Sequence, residues 1–345
     1  MGITPDGRAA RATLALFAAL SGFGCSEPPN RVTETQPAAT VRAVRSESRE
    51  PIAPLPAAVA LDAKRVALGR RLFHETRLSS DGSVACSSCH DLTKAGSDGR
   101  PKPRGAGGRD GFLNTPSVLN ASLNFVQFWD GRAASLEEQV NGPINNPVEM
   151  ASSWPQVIET LRGDASYVSA FAQAFPDGLV EDNVRRALAE FERTLVSRGS
   201  AFDRWLEGDQ KALTPEARSG YETFKSVGCI ACHQGTNVGG NMFQRFGVLG
   251  DYFKDRGHVV DADYGRYNVT HNESDRFVFR VPSLRNVEHT APYFHDGSAA
   301  TLPDAVQVMA KYQLGRRLSP KQVSDIIEFL LSLSGPAVVA AKAAP

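Results

Sequence analysis

The pentapeptide Cys86-Ser87-Ser88-Cys89-His90 returns later in the chain as Cys229-Ile230-Ala231-Cys232-His233. C-x-x-C-H is the attachment pattern of a c-type haem. Its thiols form thioethers with the porphyrin vinyl groups, and the adjacent histidine gives the iron its proximal nitrogen. Such a motif restricts the fold severely, because the chain must close around a flat ring pinned to it along one edge. A single copy would leave room for a redox dithiol, or for half of a zinc site with an incidental histidine. Two copies, in a chain whose only other cysteine is Cys25, leave little for either. The expectation is two covalently attached haem c groups, one on Cys86, Cys89 and His90, the other on Cys229, Cys232 and His233. With those four thiols consumed, no disulfide framework remains.

A length of 345 residues accommodates two ordinary domains, and a hydrophobic share of 41 % is enough for a sizeable core. The formal net charge of +0 and the lack of a polybasic run argue against nucleic acid as a partner. Residues 1–25 read as an export segment: Arg8 and Arg11 precede an apolar run of h-region length, too short to span a bilayer. Cys25 follows at once and reads as a lipidation site, although Gly22 stands where the lipobox usually has Leu; the alternative is a plain cleaved signal that removes Cys25. Ser26 is not the Asp that would signal inner-membrane retention, so the expectation is a periplasmic protein tethered to the outer membrane. Residues 26–58 are rich in Pro, Glu, Thr, Ser and Arg and are expected to be a disordered tether.

From about residue 59 the pattern turns helical. Val184, Ala187, Leu188, Phe191 and Leu195 recur at helical spacing and predict a helix over 180–197. Thr214-Pro215-Glu216 reads as a helix start leading to the second haem motif, and Ser319-Pro320 with Gln322 as a capping box for a closing helix. Residues 94–111, rich in Gly, Pro and charge, read as a long loop. A helix, a haem motif, a loop and a closing helix, twice over, give a mainly α fold of two cytochrome c-like domains. Their expected bounds are 59–205 and 206–336.

The halves repeat beyond the haem motifs. Pro116-Ser117-Val118-Leu119-Asn120 matches Pro282-Ser283-Leu284-Arg285-Asn286, and Phe128-Trp129-Asp130-Gly131 matches Phe294-His295-Asp296-Gly297, at a constant offset of 166. His90 to Pro116 spans 26 residues and His233 to Pro282 spans 49, so the second half carries 23 extra, within residues 234–274. Met309 lies in a helix-like run where the first half has Pro143. A thioether sulfur can complete the second haem as a His233/Met309 site and raise its potential; Pro143 cannot ligate iron. The first haem is thus expected to keep an open face for small-molecule chemistry, and the second to relay electrons.

The run from Gln127-Phe128-Trp129-Asp130-Gly131-Arg132 through Gln139 to Asn146-Pro147-Val148-Glu149-Met150 resembles the bacterial di-haem cytochrome c peroxidases. So does Val281-Pro282-Ser283-Leu284-Arg285-Asn286 with Pro292-Tyr293-Phe294-His295-Asp296-Gly297. The resemblance implies a low-potential peroxidatic haem in the first half and a high-potential entry haem with a Met ligand in the second, where Met309 stands. It implies that Glu149 is the distal acid–base group, Gln139 its companion amide and Trp129 the residue between the haems. It further implies one calcium ion at Asn114, Thr290 and Pro292, hydrogen peroxide as substrate, a small cytochrome c or cupredoxin as electron donor, and often a homodimer. His74, His258, His271 and His289 are expected to be structural or surface groups, and His295 a structural or haem-contacting residue rather than a ligand. In one respect the chain departs from the family: where a displaceable His usually lies sixteen residues after the proximal His, this sequence has Ala106. The peroxidatic iron is therefore expected to rest open. Two other functions remain in view: a di-haem oxidase acting on a partner protein, and a non-enzymatic electron-transfer cytochrome. A related branch that oxidises tryptophans of a partner protein resembles a His/Tyr relay site, which Met309 does not match.

Overall fold

Asp62 caps the first helix of the computed structural model by accepting from the N–H groups of Lys64 and Arg65 at 2.9 and 3.0 Å. The structure describes residues 50–335; the export segment, Cys25 and residues 26–49 of the expected tether lie outside them. In chain order the first half contributes α1 (Ala63–Phe73), α2 (Cys86–Cys89), α3 (Leu136–Gln139), α4 (Asn141–Asn145), α5 (Trp154–Arg162), α6 (Ala165–Ala174) and α7 (Glu181–Glu192). The second contributes α8 (Ala201–Leu206), α9 (Pro215–Val227), α10 (Tyr252–Arg256), α11 (Tyr267–Thr270), α12 (Leu302–Leu314) and α13 (Pro320–Ser332). Strands β1 (Phe243–Arg245) and β2 (Val278–Arg280) pair antiparallel, Gln244 opposite Phe279, as the only sheet among the described residues. The mainly helical fold follows the expectation, and among the described residues no helix is long and apolar enough to cross a membrane.

The capping signals act where they stand in the sequence. Thr214 accepts from Ala217 N–H at 3.1 Å ahead of α9. Ser319 and Gln322 cap one another's backbone at 3.3 and 2.9 Å ahead of α13. The helix expected over 180–197 stops earlier, at Glu192. There the Thr194 hydroxyl donates to Phe191 O at 2.6 Å, and Leu195 reaches the core from non-helical backbone.

Each half closes by crossing its first long helix over its last. In α1, a methyl group on Gly69 would come within 1.9 Å of the Ala187 carbonyl oxygen of α7. In α9, one on Gly220 would come within 1.8 Å of the Asp325 carbonyl oxygen of α13. Both crossings are tight enough to admit only glycine. Around the first lies a core that includes Leu72, Phe73, Phe171, Val184, Leu188 and Phe191; around the second, one that includes Phe202, Tyr221, Phe224, Ile326 and Phe329. A smaller aromatic cluster, Phe246, Tyr252, Phe253, Phe279 and Tyr312, receives Trp129 from the first half and Phe294 and Met309 from the second.

The sequence repeat is also a structural one. Asn120 and Asn286 both take left-handed backbone, at φ 61° and 58°, and their amides donate to the same Ser197 hydroxyl at 2.8 and 2.7 Å. That buried oxygen ties the halves together. The expected tether is corrected at its end. Ile52 is 0 % exposed within the second core, Leu55 N–H donates to Asp203 at 3.3 Å, and Arg285 donates to Ala53 O at 3.2 Å. Low average hydrophobicity hid two apolar residues that are sufficient to anchor the segment.

Candidate haem cavity

Both C-x-x-C-H motifs start as a short helical turn, so the histidine emerges beside its cysteines. His90 Nδ1 lies 3.2 Å from the Gly96 carbonyl oxygen, and His233 Nδ1 lies 3.4 Å from that of Val238. These carbonyls fix the tautomer with the proton on Nδ1 and leave Nε2 as the coordinating nitrogen. Burial lowers both imidazole pKa values, that of His233 to about 4, and so keeps both rings in the neutral form that binds iron. Burial pushes Cys86 up to about 12 and Cys89 to about 11. A redox dithiol needs the opposite shift, which weighs against that alternative.

The first motif opens on a cavity of 690 Å³ lined by Cys86, Cys89, His90, Trp129, Gln139, Pro143 and Glu149, among others. That volume is in the range of sites that enclose a large planar ligand. Its chemistry also suits a porphyrin with two carboxylates. Arg280, in β2, lines the cavity at 4 % exposure, and among the described residues its guanidinium makes a single hydrogen bond, from Nε to Phe128 O at 3.1 Å. Burial alone pulls this guanidinium down to about 10, because no protein carboxylate compensates it. A buried cation without an anion, in an otherwise largely apolar cavity, is a receptor for a ligand carboxylate.

Glu149 is half-buried on the cavity wall. Loss of water raises its pKa; a 2.6 Å hydrogen bond from Asn146 Nδ2 and the charge of Arg132 oppose the shift. Its backbone is held by the loop that carries Ala106: Ala106 N–H donates to Glu149 O at 2.7 Å, and Arg109 to Pro147 O at 2.6 Å. Gln139 ends α3, whose first turn is capped by Ser135. Trp129 donates from Nε1 to Asn114 O at 2.9 Å, borders the cavity and rests against the cluster that includes Met309. Met309 packs against the same cluster from the second half.

Asn114 meets the second half directly, its N–H donating to His295 O at 2.7 Å, while its side-chain nitrogen donates to Arg100 O at 2.8 Å. Thr290 donates to Val287 O at 3.2 Å, and Pro292 follows a cis peptide bond. Asn114 is therefore drawn to the segment that carries the other two expected calcium residues. His295, the repeat partner of Trp129, is 2 % exposed, with Nε2 2.7 Å from Asp263 and its ring stacked on Phe279. His74, His258, His271 and His289 are exposed.

Three features of the cavity were not singled out from the sequence. Arg280 is one. Glu192 is another: it lines the cavity at 7 % exposure, and a charge between Leu188 and Leu195 on an apolar helix face was a legible signal. The third is the wall formed by Val260, Asp261, Ala262 and Asn268, which come from the second half's extra residues.

The family model for the di-haem cytochrome c peroxidases matches residues 63–211. The chain is similar to a cytochrome c peroxidase of Escherichia coli (strain K12), 45 % identical over 287 residues, covering 83 % of this chain. It spans 61 % of that relative's length. To the cytochrome c551 peroxidase of Nitrosomonas europaea it is 44 % identical over 289 residues, covering 84 % of this chain and 85 % of the relative. Among solved structures, a MauG-like protein associated with microbial copper homeostasis aligns at a TM-score of 0.72 and 26 % identity, over 84 % of this chain and 95 % of that one.

Proposed function

This chain belongs to the di-haem cytochrome c peroxidase family, whose members carry two c-type haems, and from that premise we propose that it reduces hydrogen peroxide to water in the cavity beside His90. Each turnover consumes one peroxide, two protons and two electrons and yields two waters. The bound haem supplies an iron that exchanges electrons singly and offers peroxide a coordination position. His90, its Nδ1 proton committed to Gly96 O, would hold that iron through Nε2. Glu149 takes the proton from one peroxide oxygen and returns it to the other as the O–O bond breaks, work for which a raised carboxyl pKa is suited. Gln139 donates a hydrogen bond to the charge that develops. Ala106 has no group that could ligate iron, and its N–H holds the Glu149 backbone in place. The site is accordingly read as ready for peroxide without prior reduction.

His233 and Met309 would hold the second haem, which would supply a one-electron relay for a small cytochrome c or cupredoxin donor, with Trp129 as the bridging residue toward the first site. A calcium ion at Asn114, Thr290 and Pro292 would hold the halves in register through neutral oxygen donors. The export segment and Cys25 support a periplasmic location with a lipid tether to the outer membrane. The observation that carries the reading is one cavity bounded by an oriented haem-motif histidine and a carboxyl of raised pKa. In a Glu149→Gln protein, both haem absorption spectra should persist while kcat/KM for peroxide falls by roughly 10²–10⁴-fold, the usual size of an acid–base contribution. An unchanged rate would remove Glu149 from the mechanism.

A further inference from the structure

Beside the second haem motif the molecule exposes an apolar tip that nothing in the described residues covers. Val248 and Leu249 are 48 % and 64 % exposed. They are not on a loose loop. Gln313 of α12 accepts from the N–H groups of both Gly247 and Val248 at 3.0 Å and donates to Arg245 O at 3.0 Å, while Leu249 N–H donates to Tyr312 O at 2.9 Å. The tip is thus stapled to the helix that carries Met309. A rigid exposed apolar group costs little ordering when a partner covers it.

Its position matters as much as its rigidity. A methyl on Gly315 would stand 3.4 Å from Leu249, and one on Gly228 would stand 3.5 Å from Leu314. Gly228 immediately precedes Cys229. Leu249, Gly315, Leu314 and Gly228 therefore form a short packed path from solvent to the thioether cysteine of the second haem.

The surroundings are basic. Arg245, Lys254, Arg316 and Arg317 are exposed around this tip against one exposed carboxylate, Asp251; the nearby Lys311 and Asp255 neutralise one another at 3.2 Å. Two copies of such a surface repel, which disfavours an isologous contact between identical chains. An apolar centre with a cationic rim suits instead an acidic partner with an apolar face, and a contact this small matches the brief encounters of electron-transfer proteins.

We propose that the Val248–Leu249 tip and the Arg316–Arg317 rim form the docking surface for an acidic small redox protein that delivers electrons to the haem on Cys229. This rests on the peroxidase reading above and names the partner for its second haem. Steady-state peroxide reduction by the holoprotein tests it with three donors: an acidic small cytochrome c, a basic one of similar potential, and hydroquinone, which needs no docking surface. The wild type should prefer the acidic cytochrome, with KM rising as salt is added. The Arg316→Glu/Arg317→Glu protein should show about a tenfold higher KM for that donor and lose the salt dependence, since rim charges act on encounter. Leu249→Asn should raise KM without altering the salt response, and both variants should keep wild-type haem spectra.

An unchanged KM in all variants, or a wild-type preference for the basic cytochrome, overturns the docking surface while leaving the peroxidase reading intact. Failure of the wild type with all three donors overturns the peroxidase reading instead. Wild-type binding to phosphatidylglycerol vesicles that R316E/R317E abolishes, with KM unaltered, would assign the surface to a membrane and overturn the proposal.

Discussion

Glu192 is a carboxyl that its own helix carries into the haem cavity. Burial raises its pKa to about 7 from an ordinary 4.5, with Arg193 opposing the shift and Glu137 adding to it. The sign of the consequence follows. The native state keeps this proton until about pH 7, whereas the unfolded chain releases it near pH 4.5. Stability from this group is therefore lost as pH rises from 4.5 to 7, up to about 3 kcal/mol, and the loss is complete above that window. Glu192→Gln should raise Tm at pH 8 by about 5 °C and leave it unaltered near pH 4, measured by calorimetry on the haem-loaded protein. An equal Tm at both pH values would mean that the carboxyl is solvated when haem is in place. Arg280 poses the converse case, a buried charge of opposite sign with no protein anion. Arg280→Met should weaken haem retention in urea while leaving the spectrum of the His233 site unaltered, because an uncompensated cation is replaced where a ligand carboxylate needs one.

Among the elements, the helix crossings bear the most. The α1–α7 and α9–α13 contacts each place a backbone carbonyl where a side chain would otherwise stand. Gly69→Ala and Gly220→Ala both improve helix propensity by about 1 kcal/mol. Both also force the helices apart. The net effect should be a loss of about 2 kcal/mol or more from overpacking, read as a lower urea midpoint with a similar slope. A gain in stability for either variant would mean that the crossing relaxes freely. The helical periodicity of 184–195 was legible, but the end of α7 was not. Thr194, with its hydroxyl turned back to Phe191 O, ends the helix by a local competition that a count of apolar positions does not register.

At the scale of the whole molecule, the halves share more than a linker. Ser197 receives the amides of both Asn120 and Asn286, and Trp129 borders the first cavity while resting on the cluster that holds Met309. The extra residues of the second half build part of the first half's cavity wall. If Trp129 carries charge between the sites, Trp129→Phe should slow the oxidation of the second haem after fully reduced protein is mixed with peroxide, as followed by stopped-flow absorbance. The first haem should still react at its wild-type rate. Equal rates for both haems would make Trp129 a packing residue only.

Sequence by itself settled what covalent chemistry and local backbone preference control. The two C-x-x-C-H motifs, the capped starts at Thr214 and Ser319 and the periodic stripe of α7 each act within a few residues of where they are written. Tertiary structure decided what depends on distant segments meeting. Arg280 became a cavity cation because β2 folds under the first half, and Glu192 a cavity carboxyl because α7 packs across α1. Residues 50–55, the end of a stretch that is polar on average, became part of the second core because Ile52 found an apolar hole and Asp203 and Arg285 took up the backbone of Leu55 and Ala53. Whether a polar or charged side chain is costly, structural or reactive depends on the dielectric and the partners around it, and those are supplied by residues more than a hundred positions away.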